Sequence, residues 1–186
     1  MKKIKLLVAL ALFGFAGYAQ EVKFPAADSS PADLAYFPVN AAKAKAGDNT
    51  APLIRVIYSR PAAKGRVVFG ELVPYGKVWR AGANESTEIR FYQPAIIAGK
   101  TVAAGAYSLF VIPEKTTWTV ILNRQTDRWG AYTYDAGKDV LRISVPVKTL
   151  DAPVESLSVV FSPETGGAML HIAWDKSSAA VPITIK

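Results

Sequence analysis

The chain has 186 residues, 22 Lys plus Arg, 15 Asp plus Glu, one His and no Cys, for a formal charge of +7. Half of it is apolar and only 20% is charged, a balance that excludes an intrinsically disordered protein and allows one packed domain or two small ones. The absence of Cys excludes a disulfide framework, a zinc-thiolate site, an iron–sulfur cluster and a thiol nucleophile.

The chain opens on Met1-Lys2-Lys3-Ile4-Lys5, a short basic segment. The apolar run Leu6 to Phe15 follows, and then the small residues of Gly17-Tyr18-Ala19. This is the three-part form of a cleaved secretory signal peptide over residues 1–19. The run is too short for a spanning helix, which needs about 20 apolar residues. The expected mature protein is exported, periplasmic or extracellular, without a stable membrane anchor. Lys2, Lys3 and Lys5 leave with the signal, which lowers the formal +7 to +4. No Lys/Arg tract remains, so nucleic acid is not an expected partner.

Residues 20–51 read as a flank and linker, partly docked on the body of the protein. Ser30-Pro31-Ala32-Asp33 has a capping Ser, a Pro at the first helical position and an acid in the first turn. That pattern predicts a short helical start. Leu34, Tyr36 and Phe37 then supply apolar groups for docking. Ala41 to Asn49 reads as the linker.

From Leu53 the period is two. Ile54, Val56 and Tyr58 share one face of a strand; Thr87, Ile89 and Phe91 share one face of another. Further strands are predicted at 107–112, 118–123, 140–145, 155–162, 168–174 and 181–185. Ala98-Gly99-Lys100 and Pro163 to Gly167 mark turns. Pro182 cannot donate to a ladder, so its strand belongs at an edge or with that position facing outward. A short helix fits only residues 123–132. The pattern predicts an all-β antiparallel sandwich, jelly-roll-like, as a single domain over residues 52–186.

Chemistry concentrates in Phe69 to Thr87. This long segment holds Gly70, Gly76 and Gly82 for turns and close approach. Arg80 and Asn84 suit a ligand carboxylate or hydroxyl. Glu85 or Glu71 suits a hydroxyl donor, and Tyr75 and Trp79 suit a sugar face. The bland reading of the same residues pairs Arg80 with Glu85, gives Asn84 a turn and puts Trp79 in the core. A second cluster, Asn123 to Asp135, includes Trp129 and Tyr132 and has the aromatic and amide mix of a carbohydrate surface. Trp129 and Tyr132 could equally close one end of the sandwich. Trp118 and Trp174 read as core. The lone His171, on a strand face with Met169 and Ala173, reads as structural. Any metal site would fall to carboxylates, which suits Ca²⁺. Asp127, Asp135 and Asp139 lack an EF-hand pattern, so no metal and no cofactor is expected.

Several segments resemble one family. They are Tyr58-Ser59-Arg60-Pro61, Gly65 to Arg80, Gly82-Ala83-Asn84-Glu85, Gly105 to Leu109, Trp118 to Ile121, Trp129-Gly130 with Tyr132, and Asp139-Val140. Together they resemble the domain of unknown function 2911 family over roughly residues 28–186. The resemblance implies a secreted protein, mainly of Gram-negative bacteria of the Bacteroidetes type. It implies no activity. It also implies that the N-terminal flank docks, and it makes the Arg80, Asn84 and Glu85 set part of the family's signature segment.

The expected function is binding of a small polar ligand or glycan by Tyr75, Trp79, Arg80, Asn84, Glu85 and Trp129. One alternative is an envelope structural or protein-interaction module of unknown partner. A less favoured one is a glycan hydrolase using two of Glu71, Glu85, Asp127 and Asp135 at a spacing of about 5–9.5 Å.

Overall fold

The computed structural model describes residues 21–43, 45–47 and 50–185. Residues 1–19, expected to be a signal peptide, lie outside the described residues. Nine strands form one antiparallel sheet: β1 (Ala32–Phe37), β2 (Ile54–Ser59), β3 (Thr87–Phe91), β4 (Ala95–Ile97), β5 (Lys100–Val102), β6 (Gly105–Pro113), β7 (Thr117–Asn123), β8 (Asp139–Glu164) and β9 (Gly167–Ile185). Their order is β1-β2-β3-β6-β7-β8-β9-β4-β5. This is a meander carrying the β4–β5 hairpin at its far edge, not the paired Greek keys of a jelly roll. The protein is all-β, and the only helical pieces among the described residues are two 3-10 turns, Val39–Lys43 and Ala136–Lys138.

The helix start expected at Ser30 to Asp33 is corrected to a strand. β1 pairs with β2 from Ala32↔Ser59 to Phe37↔Ile54. Asp33 does not cap a helix; its carboxylate accepts from Arg60 Nη1 at 3.0 Å and from the Tyr58 hydroxyl at 3.3 Å. A full ladder and a charge-assisted bond override a weak local cap signal. The short helix allowed at residues 123–132 is absent as well, because Asp127 and Gly130 take left-handed backbone angles (φ 57° and 67°).

Alternation places the core. Ile54, Val56 and Tyr58 of β2 are buried while their neighbours are half-buried. Thr87, Ile89 and Phe91 do the same on β3, and Ala168, Leu170, Ile172 and Trp174 on β9. β8 and β9 run unbroken through stretches that read as separate strands in the sequence. Their register shifts between Thr149 and Val154 and again between Val154 and Ser158. Such irregularities bend a strand. Pro182 falls between the ladders of β9 with β8 and with β4 and takes part in neither register.

The bend returns the second half of β8 to the start of the sheet. The Leu157 amide donates to the Pro61 carbonyl at 2.9 Å, and the Ala63 amide to the Glu155 carbonyl at 2.8 Å. The Tyr58 hydroxyl accepts from the Val159 amide at 3.1 Å. Phe37 packs against Phe161 with ring centroids 6.2 Å apart. The curl encloses Phe69, Trp79, Trp118 and Trp174. Phe69 lies 4.8 Å from Trp118, and Trp79 stacks on Trp174 at 5.9 Å.

Candidate functional site

Two loops meet at one end of the sheet. The first, residues 60–86, carries the signature segment; the second, residues 124–138, joins β7 to β8. The first is anchored on β6. Trp79 and Val111 exchange both backbone bonds, at 2.7 and 2.9 Å, just beyond the point where β3 stops pairing with β6. The second is anchored by Asp139. Its carboxylate accepts from Asn123 Nδ2 at 2.7 Å, from the Tyr134 hydroxyl at 2.6 Å and from Arg142 Nη1 at 2.8 Å. Burial, then the bond to Asp139, push the Tyr134 hydroxyl up to about 12. The hydrogen bond that Arg142 donates to Asp139 likewise raises Arg142.

The loops are stitched to each other. The Ser86 amide donates to the Arg128 carbonyl at 2.8 Å, and the Gly130 amide to the Asn84 carbonyl at 2.9 Å. Glu85 and Trp129 face each other in an antiparallel bridge. Asn84 takes φ 57°, so it does hold a turn. Its Nδ2 also donates to Asp28 Oδ1 at 3.2 Å, which draws the N-terminal segment over the loop.

The six expected site residues divide. Trp79 is 8% exposed and belongs to the aromatic core; its Nε1 donates to the Gly82 carbonyl at 3.1 Å. Tyr75 is half-buried, and its ring lies so close to Gly70 that a Cβ there would meet Cε2 at 2.9 Å. Trp129 is 63% exposed. Glu85 is exposed and lines a separate cavity of about 170 Å³ with Ser86, Glu88, Ser108 and Asp127. It forms no ion pair with Arg80; the ion pairs of the described residues join Arg55 and Arg90 to Glu88, Arg60 to Asp33, and Arg142 to Asp139.

Arg80 is the exception that the bland reading does not absorb. Its Nε is buried and has no hydrogen-bond partner among the described residues. Arg80 lines two cavities. The larger, about 340 Å³, also takes Ser30, Lys64, Arg66, Gly82 and the edges of Trp79 and Trp174. The smaller, about 250 Å³, takes Lys77, Pro74, Ala131 and Tyr132. Leu72, Val73 and Trp79 belong to both walls. Gly130 lets the second loop come this near. A methyl on it would meet Tyr132 Cε2 at 2.8 Å and Arg80 Nη1 at 3.3 Å.

Neither wall includes a carboxylate. Two acids stand beside the larger cavity: Asp28, which accepts from Asn84 and from the Ser30 amide, and Glu155, which accepts from the Lys64 amide. Arg66 donates to the carbonyls of Ala62 and Ala63 and forms no ion pair among the described residues. Lys64, Arg66, Lys77 and Tyr132 are absent from the residue set expected from sequence. A signal for Arg66 was available, since Gly65-Arg66 opens the segment that resembles the family.

The remaining candidates lie apart. Asp135 caps the second 3-10 turn through the Gly137 amide at 2.8 Å. Glu71 is exposed. His171 Nε2 and Ser162 Oγ lie 2.9 Å apart across β8 and β9.

Residues 38–183 match the family model described as Protein of unknown function (DUF2911). No curated protein and no solved structure matches the chain.

Proposed function

Since the chain belongs to the DUF2911 family, whose description carries no activity, we propose a function from the site itself: the protein binds a small polar ligand or glycan where the two loops meet. One observation carries the reading. Arg80 sits between two cavities with its Nε buried and without a partner among the described residues. A buried polar group is normally satisfied, and leaving one unmade costs about 1–3 kcal/mol. Arg55 Nε is unpartnered in the same way, but Arg55 is neutralised by Glu88; Arg80 has no such ion pair among the described residues, so a ligand acceptor would meet the charge of its guanidinium. The larger cavity, about 340 Å³, falls at the lower end of the range for small-molecule sites. Exposed Trp129 and Tyr132 flank Gly130 and offer rings to a sugar face.

The test is a binding screen of soluble oligosaccharides and small metabolites against the wild-type chain and Arg80→Ala. Binding that is lost in the variant supports the reading. Binding that survives unchanged would place the ligand elsewhere.

The proposed setting is the periplasm or the exterior, after removal of residues 1–19. The proposed packing is a sandwich, with the curled sheet forming two facing layers around Trp118 and Trp174. A second reading, an interaction module of the envelope, is favoured by a different feature. Leu34, Val39 and Val160 are each at least half exposed and line one groove with Tyr36 and Phe161. A glycan hydrolase ranks third, on the Glu85 and Asp127 that share one cavity.

A further inference from the structure

Charge sharpens the ligand's chemistry. The larger cavity presents Lys64, Arg66 and Arg80, and the smaller presents Lys77 and Arg80. None of these four takes part in an ion pair among the described residues. The protein's own pairs show that carboxylates are used where cations need neutralising: Asp33 holds Arg60 at 3.0 Å, and Asp139 holds Arg142 at 2.8 Å. Around Arg80 that device is missing. Asp28 and Glu155, beside the larger cavity, accept from backbone and amide donors.

The aromatic side of the site is equally specific in kind. Tyr132 is 81% exposed and Trp129 63%. Tyr132 lines the smaller cavity beside Arg80 and Lys77. Its ring and Arg80 Nη1 approach the same point on Gly130, so a ring-shaped ligand on Tyr132 would carry its substituents toward the guanidinium. Arg offers a planar fork that matches an oxyanion with two acceptors.

We infer that the ligand is an acidic saccharide. Its oxyanion, a carboxylate or a sulfate ester, is held by Arg80 with Lys64, Arg66 and Lys77 supplying the field, and its ring rests on Tyr132. This rests on the ligand-binding reading above and adds the ligand's charge. No bond is made or broken.

Isothermal titration of the mature chain with charge-matched probes tests it. The probes are oligogalacturonate, a neutral galactose oligomer of equal length, and a sulfated galactose oligomer of that length. The inference expects one acidic probe to bind about tenfold or more tighter than the neutral one. The carboxylated and sulfated arms distinguish the two oxyanions. The preference should fall as salt rises from about 50 to about 500 mM and should vanish in Arg80→Gln. Arg80→Lys should retain part of it, because charge remains while the fork is lost. The thermal midpoint of each variant is measured alongside, and Tyr132→Ala serves as a second probe that leaves the guanidinium in place. A neutral oligomer bound as tightly as the acidic ones, with Arg80→Gln unchanged, would overturn the charge inference and leave ligand binding standing. No binding of any probe, with all variants folded, would count against both.

Discussion

The Gly130 amide donates to the Asn84 carbonyl at 2.9 Å, so two loops separated in the chain by the five strands β3 to β7 share one backbone seam. Both residues take left-handed angles, φ 67° for Gly130 and 57° for Asn84. The seam brings Tyr132 to Arg80. Substituting Gly130→Ala should damage the site twice. The left-handed angle costs an L-residue roughly 1–2 kcal/mol, and the added methyl displaces the Tyr132 ring and Arg80 Nη1. Urea denaturation should show a loss of about 1–3 kcal/mol, together with weaker binding of any ligand that Arg80 holds.

Trp79 and Trp129 should behave oppositely. Trp79 is packed among Phe69, Trp118 and Trp174, so Trp79→Ala should cost about 3–5 kcal/mol. Trp129 is largely exposed, and its bridge to Glu85 uses backbone alone. Trp129→Ala should leave stability within about 0.5 kcal/mol while reducing saccharide binding. Chemical denaturation and titration of the two variants check both halves.

Much of the fold was legible in the sequence, and for physical reasons. Period-two burial in β2, β3 and β9 follows from one wet and one dry face, so Ile54, Ile89 and Leu170 were readable as core. β1 was not. Ser30-Pro31-Ala32-Asp33 carries a true local helix signal, and only the distant partners Tyr58 and Arg60 overrule it. The continuity of β8 was hidden by Pro146 and Pro153, because a bulged strand tolerates what a regular one excludes. In the site, Arg80 and Asn84 stood out by residue type and spacing. Trp79 looked equally suitable, yet its neighbours are core rings supplied by β7 and β9. Lys64 and Arg66 line one cavity with Arg80, and Lys77 and Tyr132 line the other; that Arg80 joins the two groups follows from the curl and the seam, which no local pattern encodes.

The curl depends on a few long-range bonds. Tyr58→Phe removes the acceptor for the Val159 amide, which lies on a buried residue. An unsatisfied buried amide costs about 1–3 kcal/mol. The expected outcome is a drop of that size in unfolding free energy and faster hydrogen exchange at Val159, with Asp33→Asn giving a smaller effect at its half-exposed pair with Arg60.

Tyr134 predicts an alkaline signature. Its folded value, about 12, lies above the ordinary tyrosine value of 10.0. A raised value means that the folded state favours the neutral phenol. This stabilisation is therefore complete below pH about 10 and is lost as pH rises through about 12. Burial raises Tyr58 as well, so phenolate absorbance should show more than one tyrosine titrating late, and Tyr134→Phe should remove the step near pH about 12. That variant should also flatten the decline of stability between those two pH values. An unchanged late step would reassign it to another phenol.

The most direct measurement is a crystal structure of the chain lacking residues 1–19 with the tightest-binding saccharide. A ligand oxygen is expected within hydrogen-bond distance of the Arg80 guanidinium, with a sugar ring against Tyr132. A saccharide seated away from both residues, with Arg80 Nε still unpartnered, would contradict this expectation.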